Sequence, residues 1–206
     1  MNQKHEQYRE CEIKEQYTKQ QQKTMESRKK LLEAAEVLFS EKPIDKVGLR
    51  EICTRAGVTT GTFYYHFEGK ADILSQLYER KDRHFKTILD KLTECPPYRD
   101  KIRDFFQTTM AVLVEKDGID FTMYRMFQLK IHSTDTNELY IGLTKLIELA
   151  QQNGELRQDY PSREINKYLF LVFRGTVYEW CIAEGAFDLQ DEVGEVISCA
   201  LRSFWI

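Results

Sequence analysis

Hydroxyl, phenol and imidazole groups are concentrated in one short stretch of this chain. Such groups form hydrogen bonds with phosphate oxygens and base edges, and threonine methyl groups can contact a thymine methyl. A glycine in the same stretch would allow close approach to a helix N-terminus, whose free N–H groups favour a phosphate. The members are Thr59, Thr60, Gly61, Thr62, Tyr64, Tyr65 and His66.

Two short helices are needed to position these groups. Leu49, Ile52, Cys53 and Ala56 share one face at helical spacing, which predicts a helix. Gly57 is expected to end it, because glycine adopts the left-handed conformation at little steric cost. A hydroxyl from Thr59 or Thr60 can then cap the next helix. Two helices across a glycine-containing turn form a helix-turn-helix, although a helical hairpin of any all-α protein has the same bare pattern.

The second helix and its surroundings resemble a known signature. The run Gly57-Val58-Thr59-Thr60-Gly61-Thr62-Phe63-Tyr64-Tyr65-His66-Phe67, followed by Lys70, closely resembles the DNA-binding signature of TetR-family (tetracycline-repressor-like) transcriptional regulators. The similarity covers roughly residues 28–77, including the apolar positions Leu31, Leu32, Ala35, Leu38, Phe39, Ile73 and Leu74. It implies DNA contacts from Thr59, Thr60, Gly61, Thr62, Tyr64, Tyr65 and His66, and a phosphate contact from Lys70.

One position departs from the family pattern. Many relatives have Thr or Ser where this chain has Gly48, and that hydroxyl caps the helix and touches a phosphate. The side-chain contact therefore cannot be carried over, although Gly48 can still offer its N–H.

The N-terminal residues allow two interpretations. Residues 1–26 are polar and rich in Gln, Lys and Glu, which is typical of a solvated or frayed extension, or of a chain whose functional start is Met25. The alternative is an arm that reaches phosphates or the minor groove, using Lys19, Lys23, Arg28, Lys29 and Lys30. The first helix is expected at Ser27–Glu41, with Ser27 as its cap and Pro43 preventing its continuation.

Charge, cysteine spacing and the lack of long apolar runs argue against several classes of protein. The net charge of −3 divides into about +2 for residues 1–70 and −5 for the rest, which disfavours nonspecific coating of nucleic acid. The five cysteines have no zinc-ligand spacing, so we expect no metal and no cofactor. No membrane span or signal peptide is evident, which predicts a cytoplasmic protein.

The remaining chain has repeated helical periodicity. A fourth helix is expected from near Ala71 to Leu92, ending before Pro96-Pro97, and further helices follow around residues 102–113, 121–129, 139–150, 162–184 and 193–204, with a break at Ser133–Thr136. We therefore expect an all-α fold. Its parts are a polar extension (1–26), a three-helix helix-turn-helix DNA-binding domain (27–72) and a helical regulatory and dimerisation domain (73–206).

The second domain has the composition of a small-molecule pocket, in which aromatic groups surround a few polar anchors. A charge on an apolar helix face is costly unless it is paired or serves a ligand. Arg125 and Arg174 could bind a ligand carboxylate, or they could form ion pairs between helices. The aromatic residues could simply belong to the hydrophobic core. The candidates are Phe105, Met110, Phe121, Tyr124, Arg125, Phe170, Arg174 and Tyr178.

The helix at residues 162–184 is apolar on both flanks and must be buried on both. With the last helix it could form a four-helix interface between two copies, as in the resembled family, or it could be the centre of a monomeric bundle. We favour a homodimer. The interface candidates are Tyr168, Leu171, Gly175, Ile182, Val196, Ile197 and Ala200.

No motif indicates an enzyme. The sequence lacks Gly-x-Ser-x-Gly, His-Glu-x-x-His, P-loop and Gly-x-Gly-x-x-Gly patterns. We therefore predict a repressor that a small apolar or amphipathic effector releases from a near-palindromic double-stranded operator. The alternative is a constitutive helical DNA-binding or architectural protein without an effector.

Overall fold

Helices make up the fold in the computed structural model, which describes residues 19–128 and 138–206 apart from the side chains of Lys19, Tyr78, Asp82, Arg83, Arg125, Phe127 and Gln128. Residues 1–18 and the predicted break at Ser133–Thr136 lie outside this part. Within it, the bridge between Leu156 and Trp205 is isolated and no strand forms. The all-α prediction is confirmed.

The first compact unit ends at Leu74. It contains α1 (Lys19–Glu41), a 3-10 turn (Ile44–Lys46), α2 (Leu49–Ala56), α3 (Thr60–His66) and the start of α4 (Lys70–Leu92). The expected apolar face of α1 is buried, and it meets the buried apolar residues of the following helices. This core includes Leu31, Ala35, Leu38, Ile52, Phe63, Phe67, Ile73 and Leu74.

Helix α1 already includes Lys19, eight residues before Ser27, so the prediction that Ser27 caps it is wrong. Residues 19–26 have no apolar face, but most are Lys, Gln or Glu, which have high helix propensity. Glu26 also pairs with Lys30 at 2.7 Å, one turn away. Ser27 instead donates a hydrogen bond back to the Thr24 carbonyl at 2.9 Å.

The second unit begins at Ser75 and shares α4 with the first. Its further helices are α5 (Arg99–Asp104), α6 (Val112–Asp117), α7 (Ile119–Gln128), α8 (Glu138–Gln152), α9 (Ser162–Ile182) and α10 (Leu189–Arg202). Their buried faces meet in one core that extends from Phe85 to Phe204. Among the described residues, no helix has the length and apolar character required to cross a bilayer.

A π-helical segment, Phe105–Ala111, joins α5 to α6. Its wider turn favours contacts between residues five apart, and both Phe105 with Met110 and Phe106 with Ala111 are buried at that spacing. Gly194 of α10 packs closely against Gln107 of this segment: a Cβ added at Gly194 would stand 2.6 Å from the Gln107 side chain. The sequence predicted only an ordinary helix here.

Candidate nucleic-acid interface

Local capping sets the ends of the helix-turn-helix. Gly57 ends α2 in the left-handed conformation, with φ of 66°. Thr59 has extended backbone angles at the N-cap of α3, and its hydroxyl accepts a hydrogen bond from the Thr62 N–H at 3.1 Å. Thr59, rather than Thr60, is thus the capping residue, and its hydroxyl also lies 3.0 Å from that of Thr62.

The outer surface of α3 presents the predicted polar and aromatic groups to solvent. Tyr64 is 61% exposed and Tyr65 is 73% exposed. Thr59, Thr60 and Gly61 are also exposed, while Thr62 is half-buried. Beneath them, Phe63 and Phe67 are buried with ring centroids 5.5 Å apart. The helix therefore has an apolar anchor and an uncharged, hydroxyl-rich outer face that can form hydrogen bonds with phosphates and base edges.

His66 differs from the other candidates because it is half-buried. Its Nε2 lies 2.7 Å from the hydroxyl of Ser27. Since Ser27 donates its proton to Thr24, we assign the hydrogen of this bond to Nε2. Burial, together with the nearby Arg28 charge, lowers the pKa of His66. The imidazole is therefore a neutral link between α3 and α1, with part of its surface available to a ligand.

Lys70 also bonds within the protein. Its ammonium donates to the carbonyls of Ile44 at 2.7 Å and Val47 at 3.2 Å. These carbonyls border the 3-10 turn that leads into α2. An ammonium has three donors, so one remains for a phosphate. Lys70 thus has a structural role in addition to the phosphate contact predicted for it.

Gly48 occupies the N-cap of α2 without a side-chain cap. Its φ of −86° and ψ of 145° suit any residue, and an added Cβ would have nothing within 4 Å. A serine or threonine side chain would therefore fit at this position. No steric clash within the protein explains why the hydroxyl found in many members of the resembled family is missing here.

The predicted effector residues are divided between core and surface. Phe105, Met110, Phe121 and Phe170 are buried, while Tyr124 and Arg174 are half-buried. Arg174 lies over the Phe170 ring, 5.5 Å from its centroid. The side chain of Arg125 lies outside the described residues. Tyr178 is 37% exposed on α9, and its assignment to the effector pocket stays a prediction.

The predicted dimer residues are also divided. Tyr168, Leu171, Gly175 and Ile182 are exposed on α9, and Tyr178 falls between the last two at the same spacing. Val196 is half-buried. Ile197 and Ala200 are buried in the core of this chain, so their assignment to an interface is corrected: α10 turns that face inward.

Sequence reasoning missed two groups. Ser27 was assigned as a cap and not as a partner of His66. Asn166 is fully buried and donates to the Tyr140 carbonyl and the Thr144 hydroxyl. A polar residue within an apolar helix face was the available signal for Asn166.

Comparison of the sequence with known proteins identifies the family of this chain. The sequence pattern described as "Bacterial regulatory proteins, tetR family" matches residues 31–77. The chain is also 39% identical over 206 residues to the HTH-type transcriptional regulator AcrR of Shigella flexneri, covering 90% of this chain and 93% of that protein. This chain belongs to the tetR family of bacterial regulatory proteins. It is thus a DNA-binding transcriptional regulator.

Other TetR-family proteins show similarity along most of the chain. The transcriptional repressor BepR of Brucella suis is 28% identical over 195 residues, covering 86% of this chain and 91% of that one. SmeT, the repressor of the Stenotrophomonas maltophilia multidrug efflux pump SmeDEF, has the same fold with a TM-score of 0.70 at 19% identity. That similarity covers 87% of this chain and 90% of SmeT. FadR of Bacillus subtilis, solved with stearoyl-CoA, has a TM-score of 0.66 at 19% identity, covering 84% and 96%.

Proposed function

We propose that this chain is a homodimeric repressor that binds a near-palindromic operator through α3 and leaves it when a small apolar or amphipathic molecule binds residues 75–206. The observation that carries the proposal is the outer face of α3. It presents Tyr64, Tyr65 and an exposed glycine at a capped helix N-terminus, the features expected of a helix that enters a major groove.

The effector part is supported by the chemistry of the second unit. Phe106, Phe170 and Phe173 form an aromatic cluster beside Tyr140, whose ring stacks on Phe170 at 5.7 Å. The Oδ1 atom of Asn166 is buried and has no hydrogen-bond partner within the described residues. Apolar walls with few polar groups suit an apolar or amphipathic ligand. The amphipathic stearoyl-CoA bound to FadR is consistent with this chemistry.

The dimer part is supported by the outer face of α9. Tyr168, Leu171, Gly175, Tyr178 and Ile182 repeat at spacings of three, four, three and four residues, which is the pattern of a helix-packing seam. This large apolar surface is exposed in the single chain. A second copy would bury it and would bring a second α3 for the second half-site.

The DNA-binding part is tested with purified protein and the DNA that flanks its own gene. Footprinting should reveal a protected, near-palindromic site. The variant Tyr64→Ala should lose most of the affinity for that site while melting at the wild-type temperature. Tyr160→Ala is the matched control, because Tyr160 is 47% exposed in the second unit. Equal affinities for both variants would contradict the assignment of α3 as the reading helix.

The effector part is tested by a thermal-shift screen of apolar and amphipathic compounds. A ligand that binds the folded protein raises its melting temperature. A true effector must also weaken operator binding, by a coupling of about 1–3 kcal/mol. Compounds that stabilise the protein without releasing the operator would favour the constitutive alternative.

A further inference from the structure

We propose that the N-terminal turns of α1 extend the DNA-binding surface, with Lys23 binding a backbone phosphate beside the groove that α3 enters. The inference rests on the proposed function, because it requires α3 to contact DNA. It adds a second element and a sequence-independent contact outside the helix-turn-helix.

Two contacts fix α1 against the end of the recognition helix. The Ser27 hydroxyl lies 2.7 Å from Nε2 of His66, and the guanidinium of Arg28 lies 5.9 Å from the centroid of the Phe67 ring. Both partners are at the C-terminal end of α3. Residues 27 and 28 are therefore immediately beside the reading helix.

Helix α1 continues past this contact point for two further turns, to Lys19. Residues four apart lie on the same helix face, so Lys23 shares the face of Ser27 and is displaced along the axis by about 6 Å. Lys23 is exposed. It therefore lies one helical turn before the contact between Ser27 and the C-terminal end of α3.

The charges of this segment favour phosphate as the partner. Residues 19–30 contain five basic residues and one acidic residue. Lys30 pairs with Glu26 at 2.7 Å and Lys29 with Glu33 at 3.7 Å, whereas Lys23 forms no ion pair within the described part of the chain. A lysine ammonium is a compact point charge with no fixed fork of donors. It therefore suits a single phosphate, which adds affinity without sequence information.

Salt dependence of operator binding tests this contact in the full-length protein. Lys23→Gln should make the slope of log affinity against log salt shallower by about 0.9, because one phosphate contact is lost. At 0.15 M salt this corresponds to about fivefold weaker binding. The relative preference among operator base substitutions should stay unchanged.

The matched control is Lys91→Gln, which removes the same charge from an exposed lysine of α4 in the second unit. It should leave the slope unchanged. Equal slopes for Lys23→Gln and wild type, or equal changes in both variants, would overturn the inference while operator binding by the wild type still supported the proposed function. A changed base preference in Lys23→Gln would also overturn the phosphate contact. Absence of any wild-type footprint would instead reject the proposed function itself.

Discussion

The half-burial of the His66 imidazole predicts that the stability of the first unit depends on pH. Burial and Arg28 hold the pKa of His66 below its ordinary value of 6.5, so the unfolded chain takes up this proton at a higher pH than the folded one. The contribution of His66 to stability is complete above about pH 6.5 and is lost as the pH falls through the folded-state pKa.

This predicts that the wild type loses more unfolding free energy than His66→Gln between pH 7 and pH 5. Glutamine retains an amide donor for Ser27 but does not titrate. Urea denaturation at several pH values measures the difference. Parallel stability curves for the two proteins would show that the imidazole does not titrate in this window.

Gly57 and Gly61 are close in sequence but should respond differently to alanine. Gly57 has a positive φ of 66°, so Gly57→Ala should destabilise the fold by about 1–2 kcal/mol. At Gly61 an added Cβ would make only an ordinary 3.7 Å contact with the Thr59 hydroxyl. Gly61→Ala should therefore keep or raise the melting temperature.

The same Gly61→Ala variant should weaken operator binding by about 1.4 kcal/mol or more, which is tenfold, because its methyl group would stand at the surface that approaches DNA. Melting curves and a binding titration separate the two effects. A Gly61→Ala protein that binds the operator normally would show that this end of α3 stays clear of the duplex.

The caps at the turn between α2 and α3 were predictable from sequence because their partners are only a few positions away. Gly57 and Thr59 have the roles that their neighbours imply. By contrast, Ser27 is 39 residues away in sequence from its partner His66. Lys70 is 26 and 23 residues away from its partners Ile44 and Val47. No local pattern encodes such pairs, so these contacts become visible only once the helices are packed.

At the level of elements, α9 separates its two apolar flanks as its periodicity implied. Ile165 and Leu169 are buried on one flank, while Leu171 is 58% exposed on the other. The helix ends at Ile182, two residues before the predicted end. The π-helical turn and the early start of α1 were not predicted, because neither leaves a distinct apolar pattern.

The exposed flank of α9 gives a prediction about assembly. Leu171→Arg should convert the proposed dimer into a monomer, because an arginine in the middle of the α9 seam would be buried without a partner. Ile141→Arg is the control, since Ile141 is 48% exposed on α8. Sedimentation of both variants measures the result. If both variants sediment like the wild type, α9 does not form the interface.

At the level of the whole molecule, the proposed homodimer has two-fold symmetry, which predicts the spacing of its operator half-sites. Two copies of α3 should read half-sites that are about one helical turn of DNA apart. Inserting five base pairs between the half-sites would place them on opposite sides of the duplex. Affinity measured by titration should then fall to that of a single half-site. An unchanged affinity would indicate that each chain binds DNA alone.

Helix α4 has a consequence for exchanging parts between relatives. It runs without interruption from Lys70 to Leu92, although the first unit ends at Leu74. If the chain were divided at that boundary, the first unit would keep only the five residues Lys70–Leu74 of α4. The second unit would lose the first turn of the same helix. Hybrid regulators that combine the first unit of this protein with the second unit of a relative should therefore not be joined between Leu74 and Ser75, because that junction would fall within one continuous helix.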